Sequence, residues 1–296
     1  MGATSLFTAF EGYLKPEKAE ADLALRRAMS CATALTNHFY GDKDSSEFLT
    51  LIGSTVKDTC IRPISDIDLV FHLPAGTYTQ YDAYAGNGQS ALLQEVRSAI
   101  AKRYPDTVIK GDGPVVMVQF ASGPAVEVVP GVLYSDASIL DIDCSVPITR
   151  DGGKWEATDY GAHFDAFHEV DRARSRQMAR LMRYAKAWRR EKSAVIRSIM
   201  LEVMAVDFFN EWDTPRAQTS HTYDDWLVRD FLGYMIRNQD TTYQLPGSSR
   251  TITAGYGWRR DASDAFDDAT TACAASDESV AYVTYWRKVL GSGFGS

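Results

Sequence analysis

At 296 residues, with 45% hydrophobic and 24% charged residues, the chain has ordinary globular composition and enough length to bury a substantial core in two lobes. A net charge of −8 lacks the positive field that a protein gripping long DNA or RNA requires, so no long nucleic acid is expected as a partner. No apolar run approaches a membrane span, the N-terminus has no basic-then-hydrophobic leader, and Cys31, Cys60, Cys144 and Cys273 lack C-x-x-C spacing. No membrane contact is expected, and reduced thiols in a cytoplasmic protein are the natural reading.

Pro16 to about Tyr40 reads as a long helix. Leu25, Ala28, Ala32, Leu35 and Phe39 recur at helical spacing, and Glu17, Glu20 and Asp22 cluster near its positive N-terminal end. A Gly/Asp/Ser stretch from Gly41 to Ser46 separates it from a strand leading into Gly53-Ser54. The turn-forming Arg62-Pro63-Ile64-Ser65 then opens a strand in which Asp66 and Asp68 share one face and Ile67, Leu69, Phe71 and Leu73 share the other. Its acidic end is therefore suited to a site and its apolar face to a helical layer.

Gln89 to Tyr104 has a helical pattern, followed by short strands at Val108–Ile109, Val115–Phe120 and Ala125–Val129, divided by Gly-Pro and Gly-Asp turns. On the last of these Ala125, Glu127 and Val129 share a face. A carboxylate buried there alone is costly, and pairing with a metal resolves the cost; an exposed edge-strand Glu is the alternative. A second acidic pair, Asp141-Ile142-Asp143, has no Gly-Ser upstream and reads as an exposed strand start without a catalytic role. His163 and His168 are not one helical turn apart, so they read as core or surface histidines rather than zinc ligands.

From about Gly161 the pattern turns helical. Over Arg172–Arg190 the stripe Leu181, Ala185, Trp188 is apolar, while Arg176, Arg180, Arg183, Lys186 and Arg190 form a basic face, the one concentrated positive element of an acidic chain. Further helices are expected over Thr222–Asn238, Asp261–Ala274 and Glu278–Leu290, with a Pro-Gly-Ser-Ser loop at Pro246–Ser249 and a mobile Gly-Ser tail from Gly291.

Asp66, Asp68 and Glu127 offer carboxylate oxygens, the donors that suit a hard, oxygen-loving cation, Mg²⁺ or Mn²⁺. Three carboxylates brought together need neutralising, and two such ions roughly 3.5–4 Å apart do so while clamping both oxygens of a phosphoryl displacement. An isolated D-x-D is usually a solvated pair. The Gly-Ser turn upstream and the acidic strand downstream give this one its meaning.

The segment Gly53-Ser54-Thr55-Val56-Lys57-Asp58-Thr59-Cys60-Ile61-Arg62-Pro63-Ile64-Ser65-Asp66-Ile67-Asp68-Leu69 resembles the signature of the bacterial second-messenger oligonucleotide or dinucleotide synthetases. These are nucleotidyltransferases of the DNA polymerase beta type, related to cyclic GMP–AMP synthase and oligoadenylate synthase. Thr55 stands where the family has an aromatic residue and Asp58 where it has a small residue or Asn; neither change removes a carboxylate. Ala125–Pro130 is similar to the family's third-carboxylate strand, Arg183-x-x-Lys186-x-Trp188-Arg189-Arg190 to its R-x-x-K-x-W helix, Ser198-x-x-Leu201-Glu202 to the helix after that, and Trp286–Gly291 to its C-terminal block.

The resemblance implies an α+β, bilobed chain. Residues 1–160 would form a mixed-sheet nucleotidyltransferase core with a long N-terminal spine helix, and 161–296 a helical-bundle lobe. It implies catalytic and metal-holding roles for Asp66, Asp68 and Glu127, and nucleotide contacts from Gly53, Ser54, Lys186 and Ser198, with Arg183 a weaker candidate. Nucleoside triphosphates would be the substrates, two Mg²⁺ or Mn²⁺ ions the cofactors, and a cyclic di- or trinucleotide the product, read by a separate effector protein in defence against phage. Linear transfer to a protein, an RNA end or a small molecule is the alternative reading, and a non-catalytic nucleotide-binding scaffold a third.

Overall fold

The computed structural model describes residues 1–134, 143–212 and 220–296, and the chain divides into two compact units. One comprises Pro16–Phe164; the other joins Met1–Lys15 to Asp165–Ser296. The first fifteen residues thus group with the helical unit, whereas the sequence reading put them in the catalytic half. Helix α1 (Ala3–Leu14) ends one residue before Pro16, and α2 (Lys18–Phe39) begins the sheet unit. A 3₁₀ turn, Ser45–Phe48, leads into β1 (Leu49–Ile52) and then β2 (Asp66–His72). Helices α3 (Gly76–Asp82) and α4 (Gly88–Arg103) precede β3 (Val108–Asp112), β4 (Val115–Gln119), β5 (Ala125–Leu133), β6 (Asp143–Ile148) and β7 (Lys154–Asp159).

The sheet runs β1-β2-β5-β4-β3, with β6 added to the far end of β5 and β7 to β6. It is mixed: β2 and β5 are parallel, the other pairs antiparallel. Between β2 and β5 the chain passes through two helices and two strands, as a parallel pair requires a long crossover. One face is covered by α2 and α4. Ile67, Leu69 and Phe71 pack there with Ala28, Ala32 and Leu35 of α2 and Leu92, Val96 and Ile100 of α4. Alanines along α2 let the helix approach the strands closely. The buried stripe on α2 begins at Ala24; Leu25, expected on it, points outward and is 43% exposed. The opposite face closes over Ile52, Val70, Val129, Cys144 and Val146. That cover lies toward the far end of β2 and β5, so Asp66, Asp68 and Glu127 are only half-buried.

In the helical unit α5 (Tyr160–Ala173), within which the division between units falls, is followed by α6 (Gln177–Lys192) rather than continuing to Arg190 as expected. Ser175 and Arg176 break the helix with φ of 52° and 67°. The Asp171 carboxylate fixes the break: it accepts the Ala179 N–H at 2.9 Å and pairs with Arg176 at 2.8 Å. Helices α7 (Ser198–Glu211) and α8 (Asp224–Arg237), a hairpin of β8 (Thr242–Gln244) and β9 (Thr251–Thr253), and helices α9 (Arg259–Ala274) and α10 (Val280–Leu290) complete it. The expected Pro-Gly-Ser-Ser loop is the turn of that hairpin. Among the described residues no helix is long and apolar enough to cross a membrane.

Packing changes two expectations about this unit. Much of the basic face of α6 is turned inward: Arg180 and Arg183 are buried, and each guanidinium meets a carboxylate. Arg180 lies 3.1 Å from Asp224, which also accepts from the Tyr184 hydroxyl at 2.9 Å and contacts His221 at 2.6 Å. Arg183 pairs with Glu11 of α1. Burial works to raise the Glu11 carboxyl, but Arg183 and Lys15 outweigh it and hold it below the usual carboxylate range. The C-terminal tail is not free either. Phe294 is fully buried, 5.0 Å from the Phe7 ring and 5.3 Å from that of Phe10, and Arg287 donates to the carbonyls of Phe294 and Gly295 at 2.8 and 3.0 Å.

Asp224→Ala strands the Arg180 charge in the interior and removes an acceptor for Tyr184, so denaturant unfolding is expected to show a loss of about 3–5 kcal/mol. Asp22→Ala, which removes only the exposed pair with Lys18, should cost less than about 1 kcal/mol in the same measurement.

Candidate active site

Parallel pairing of β2 with β5 sets the geometry. Asp68 stands opposite Glu127, and Asp66 opposite Ala125, with the Ala125 N–H donating to the Ser65 carbonyl at 2.9 Å to lock the start of the ladder. With a side-chain period of two, Asp66, Asp68 and Glu127 all rise from the same face. β5 lies between β2 and β4, where Met117 flanks Glu127, so the edge-strand alternative for Glu127 is excluded. Burial raises the Glu127 carboxyl above its ordinary range and the Asp66 charge raises it further, while a hydrogen bond with Asp68 works the other way.

The Gly-Ser turn lies against these carboxylates. β1 pairs with β2 so that Ile52 is opposite Asp68, and the next residue, Gly53, turns the chain at φ +70°. A Cβ on Gly53 would collide with the Asp68 carboxylate, so glycine is required twice over, by conformation and by space. The loop then folds back, the Thr59 N–H donating to the Ser54 carbonyl at 3.0 Å. This brings the Cys60 sulfur to 3.1 Å from the Ser54 hydroxyl. Sequence reasoning missed Cys60, and it missed Glu20 of α2, whose carboxylate accepts the Ile64 N–H just before β2. Glu20 was legible only as a helix-start charge; no local pattern signals a bond across 44 residues.

The other expected nucleotide contacts lie in the helical unit. Lys186 is on α6, almost buried; Arg183, one turn earlier, is the partner of Glu11. Ser198 is the first residue of α7, its Oγ accepting from Arg189 at 2.7 Å. Of the second acidic pair, Asp143 opens β6 opposite Asp159, and burial together with Asp159 raises its carboxyl; Asp141 and Ile142 lie outside the described residues. His163 and His168 sit on α5 against Tyr160 and Phe167.

Among the described residues no three His, Cys, Asp or Glu side chains are already closed on one point as a metal cage. The carboxylates share a strand face, but Asp66 is turned to the Ser65 hydroxyl at 2.7 Å and Asp68 to Glu127. The donor set nevertheless suits hard cations. All three donors are carboxylate oxygens, and burial together with the Asp66 charge raises the Glu127 carboxyl.

A mixed sheet in which a Gly-Ser turn abuts an acidic strand, with a third carboxylate on the parallel neighbour, defines a nucleotidyltransferase. Residues 1–171 match the model of the Second Messenger Oligonucleotide or Dinucleotide Synthetase domain, and the chain belongs to that family. The chain is 26% identical to the cyclic AMP-AMP-AMP synthase of Escherichia coli strain MS 115-1, over 82% of this chain and 81% of the relative. The structure of E. coli MS115-1 CdnC with ATP superposes with a TM-score of 0.71 at 19% identity, covering 100% of this chain and 99% of that one. Vibrio cholerae DncV, a cyclic AMP-GMP synthase solved with a linear 5′ pppA(3′,5′)pG intermediate, gives 0.67 at 13% identity, covering 99% and 87%. The expected α+β class and mixed-sheet nucleotidyltransferase core are therefore the observed ones.

Gly53→Ala places a methyl group on the Asp68 carboxylate. Its expected outcome is a loss of about 10²-fold in nucleotidyl transfer, as for a 1 Å displacement of a reacting group, with the far-ultraviolet circular dichroism unchanged.

Proposed function

We propose that this chain links nucleoside triphosphates into a cyclic di- or trinucleotide second messenger, with release of pyrophosphate at each linkage. The observation that carries the reading is the Asp68–Glu127 pairing across β2 and β5, with Asp66 on the same face and Gly53 against Asp68. Similarity to a cyclic trinucleotide synthase and to the fold of a cyclic dinucleotide synthase supports a cyclic product.

In each transfer the ribose hydroxyl oxygen of one nucleotide bonds to the α-phosphorus of another. The bond from that phosphorus to its bridging oxygen breaks, and the electron pair leaves with pyrophosphate. The hydroxyl proton passes to a Glu127 carboxylate oxygen. Asp66 and Asp68 would hold two divalent ions, Mg²⁺ or Mn²⁺, with Glu127 completing the site of the catalytic one. When bound, such ions supply Lewis-acid activation and neutralise phosphate charge. Ser54 and the backbone N–H groups beside it orient the donor phosphates, which Gly53 lets approach the chain closely. Lys186 and Ser198 are further phosphate-contacting groups in this reading, and Arg183 is the weaker member of the set because Glu11 already takes its charge. A second transfer within the linear intermediate closes the ring. The product serves bacterial signalling against phage through a separate effector protein.

Incubation with labelled nucleoside triphosphates and Mg²⁺ or Mn²⁺, followed by phosphatase, tests the reading. Label in a phosphatase-resistant species is expected; label only in phosphatase-sensitive chains would turn the reading to linear transfer, and no product at all to a scaffold. Replacing both acidic residues, Asp66→Asn with Asp68→Asn, should reduce product by on the order of 10³-fold or more without unfolding the protein. Undiminished synthesis by that variant would refute the site.

A further inference from the structure

Ser198 holds an unusual place for a serine at a helix start. The N-cap of α7 is Arg197, which makes no side-chain capping bond, and Ser198 is already inside the helix. Its hydroxyl is therefore not spent on the orphan N–H groups that an N-cap serine usually satisfies. It is instead engaged from the preceding helix: Arg189, near the end of α6, donates from Nη1 to Ser198 Oγ at 2.7 Å and to the Ile196 carbonyl at 3.4 Å. Arg189 thus holds the end of the short turn that delivers Ser198.

The direction of this bond has a chemical consequence. A guanidinium has only donors, whereas a hydroxyl has one proton and two lone pairs. With Arg189 as partner, Ser198 Oγ must accept, and its own proton is left to be given elsewhere. No acceptor for that proton appears among the described residues. An anionic oxygen is the partner that such a proton suits, and the cation behind the hydroxyl strengthens it as a donor. The first turn of α7, with its unsatisfied N–H groups, adds positive potential at the same place.

We propose that Arg189 is a positioning residue that commits the Ser198 hydroxyl to donation toward the triphosphate of a bound nucleotide. The proposal rests on the reading of Ser198 as a phosphate contact, and it assigns to Arg189 a role exerted through Ser198 and not by direct contact with the substrate. Lys186, one turn earlier on α6, is distinct from it: that residue offers a charge, whereas Arg189 sets the polarity of a neutral group.

A double-mutant cycle tests this, read by the equilibrium binding of magnesium tripolyphosphate to the full chain and by the KM and kcat of nucleotide transfer. Ser198→Ala and Arg189→Met are each expected to weaken tripolyphosphate binding and raise KM about tenfold, with kcat within about threefold of the parent. The double variant should be no worse than Ser198→Ala alone, because both changes remove one interaction. Arg189→Lys, which can still donate to Oγ, should recover most of the affinity; thermal melting of each variant separates a loosened turn from a lost contact. If Arg189→Met does not fold, Arg189→Gln, whose amide is too short to span the gap, takes its place in the cycle. Losses that multiply in the double variant would overturn the proposal, as would normal binding by Arg189→Met. Normal binding by Ser198→Ala would instead overturn the underlying assignment of Ser198, while product formation and its dependence on Asp66 and Asp68 would leave the wider reading standing.

Discussion

The structure depends most on a constraint of register: three carboxylates held together on one face of a sheet. Backbone pairing enforces it. Asp68 and Glu127 occupy matched positions in a parallel ladder whose apolar residues, Ile67, Leu69, Val126 and Val128, are buried on the other face. Slipping the pairing by one residue would expose those four side chains, at roughly 1.5–3 kcal/mol each, to relieve repulsion among groups that are only half-buried. Hydrophobic burial wins that comparison, and the Glu127 carboxyl is raised by its burial and then by the Asp66 charge. In the proposed reading, cations held there would relieve a cost already present in the fold.

The helical unit solves the reverse problem. Its positive charges are brought inside and matched, Arg180 to Asp224 and Arg183 to Glu11, with Tyr184 and His221 taking further bonds to the same carboxylate. Buried pairs of this type add little net stability compared with apolar packing, but each makes its helix placement specific, since a shifted helix would leave a charge unmatched. Arg183 joins α6 to α1, which explains why the first fifteen residues belong with this unit despite preceding the sheet in sequence. The aromatic cluster of Phe7, Phe10, Trp286 and Phe294 ties both chain ends to the same core.

What was legible in the sequence follows from the range of the interactions concerned. The alternation around Asp66 and Asp68 is a local signal, and β2 runs where it pointed, as do α4, α8 and α10 within a few residues. The pairing of β2 with β5 was approached only through motif resemblance, because no periodicity reports which strand lies beside which. Three readings failed because a long-range partner overrode a local pattern. The tail from Gly291 looked mobile by composition, yet Phe294 has an aromatic socket made largely by residues near position 10. The arginines of α6 looked like one concentrated positive face, yet carboxylates far away in sequence neutralise Arg180 and Arg183. Arg172–Arg190 looked continuous, yet Asp171 satisfies a new helix start by capping Ala179 across the break.

These burials bear on how an acidic chain handles a polyanionic substrate. With 31 Lys and Arg against 39 Asp and Glu, and two of the α6 arginines matched to carboxylates inside the helical unit, attraction by a broad positive field is not available to it. In the proposed reading, recognition rests on individually placed donors: backbone N–H groups beside Gly53, hydroxyls such as Ser54 and Ser198, and cations recruited by the carboxylates. Each of these acts over a bond length and is weakly sensitive to ionic strength, whereas a diffuse field is screened over roughly 8–10 Å at physiological salt. A duplex or a long single strand, bound chiefly through many phosphate contacts, gains little from so few fixed donors. The same acidity that argues against a nucleic-acid-binding protein therefore agrees with the single nucleoside triphosphates proposed as its substrates.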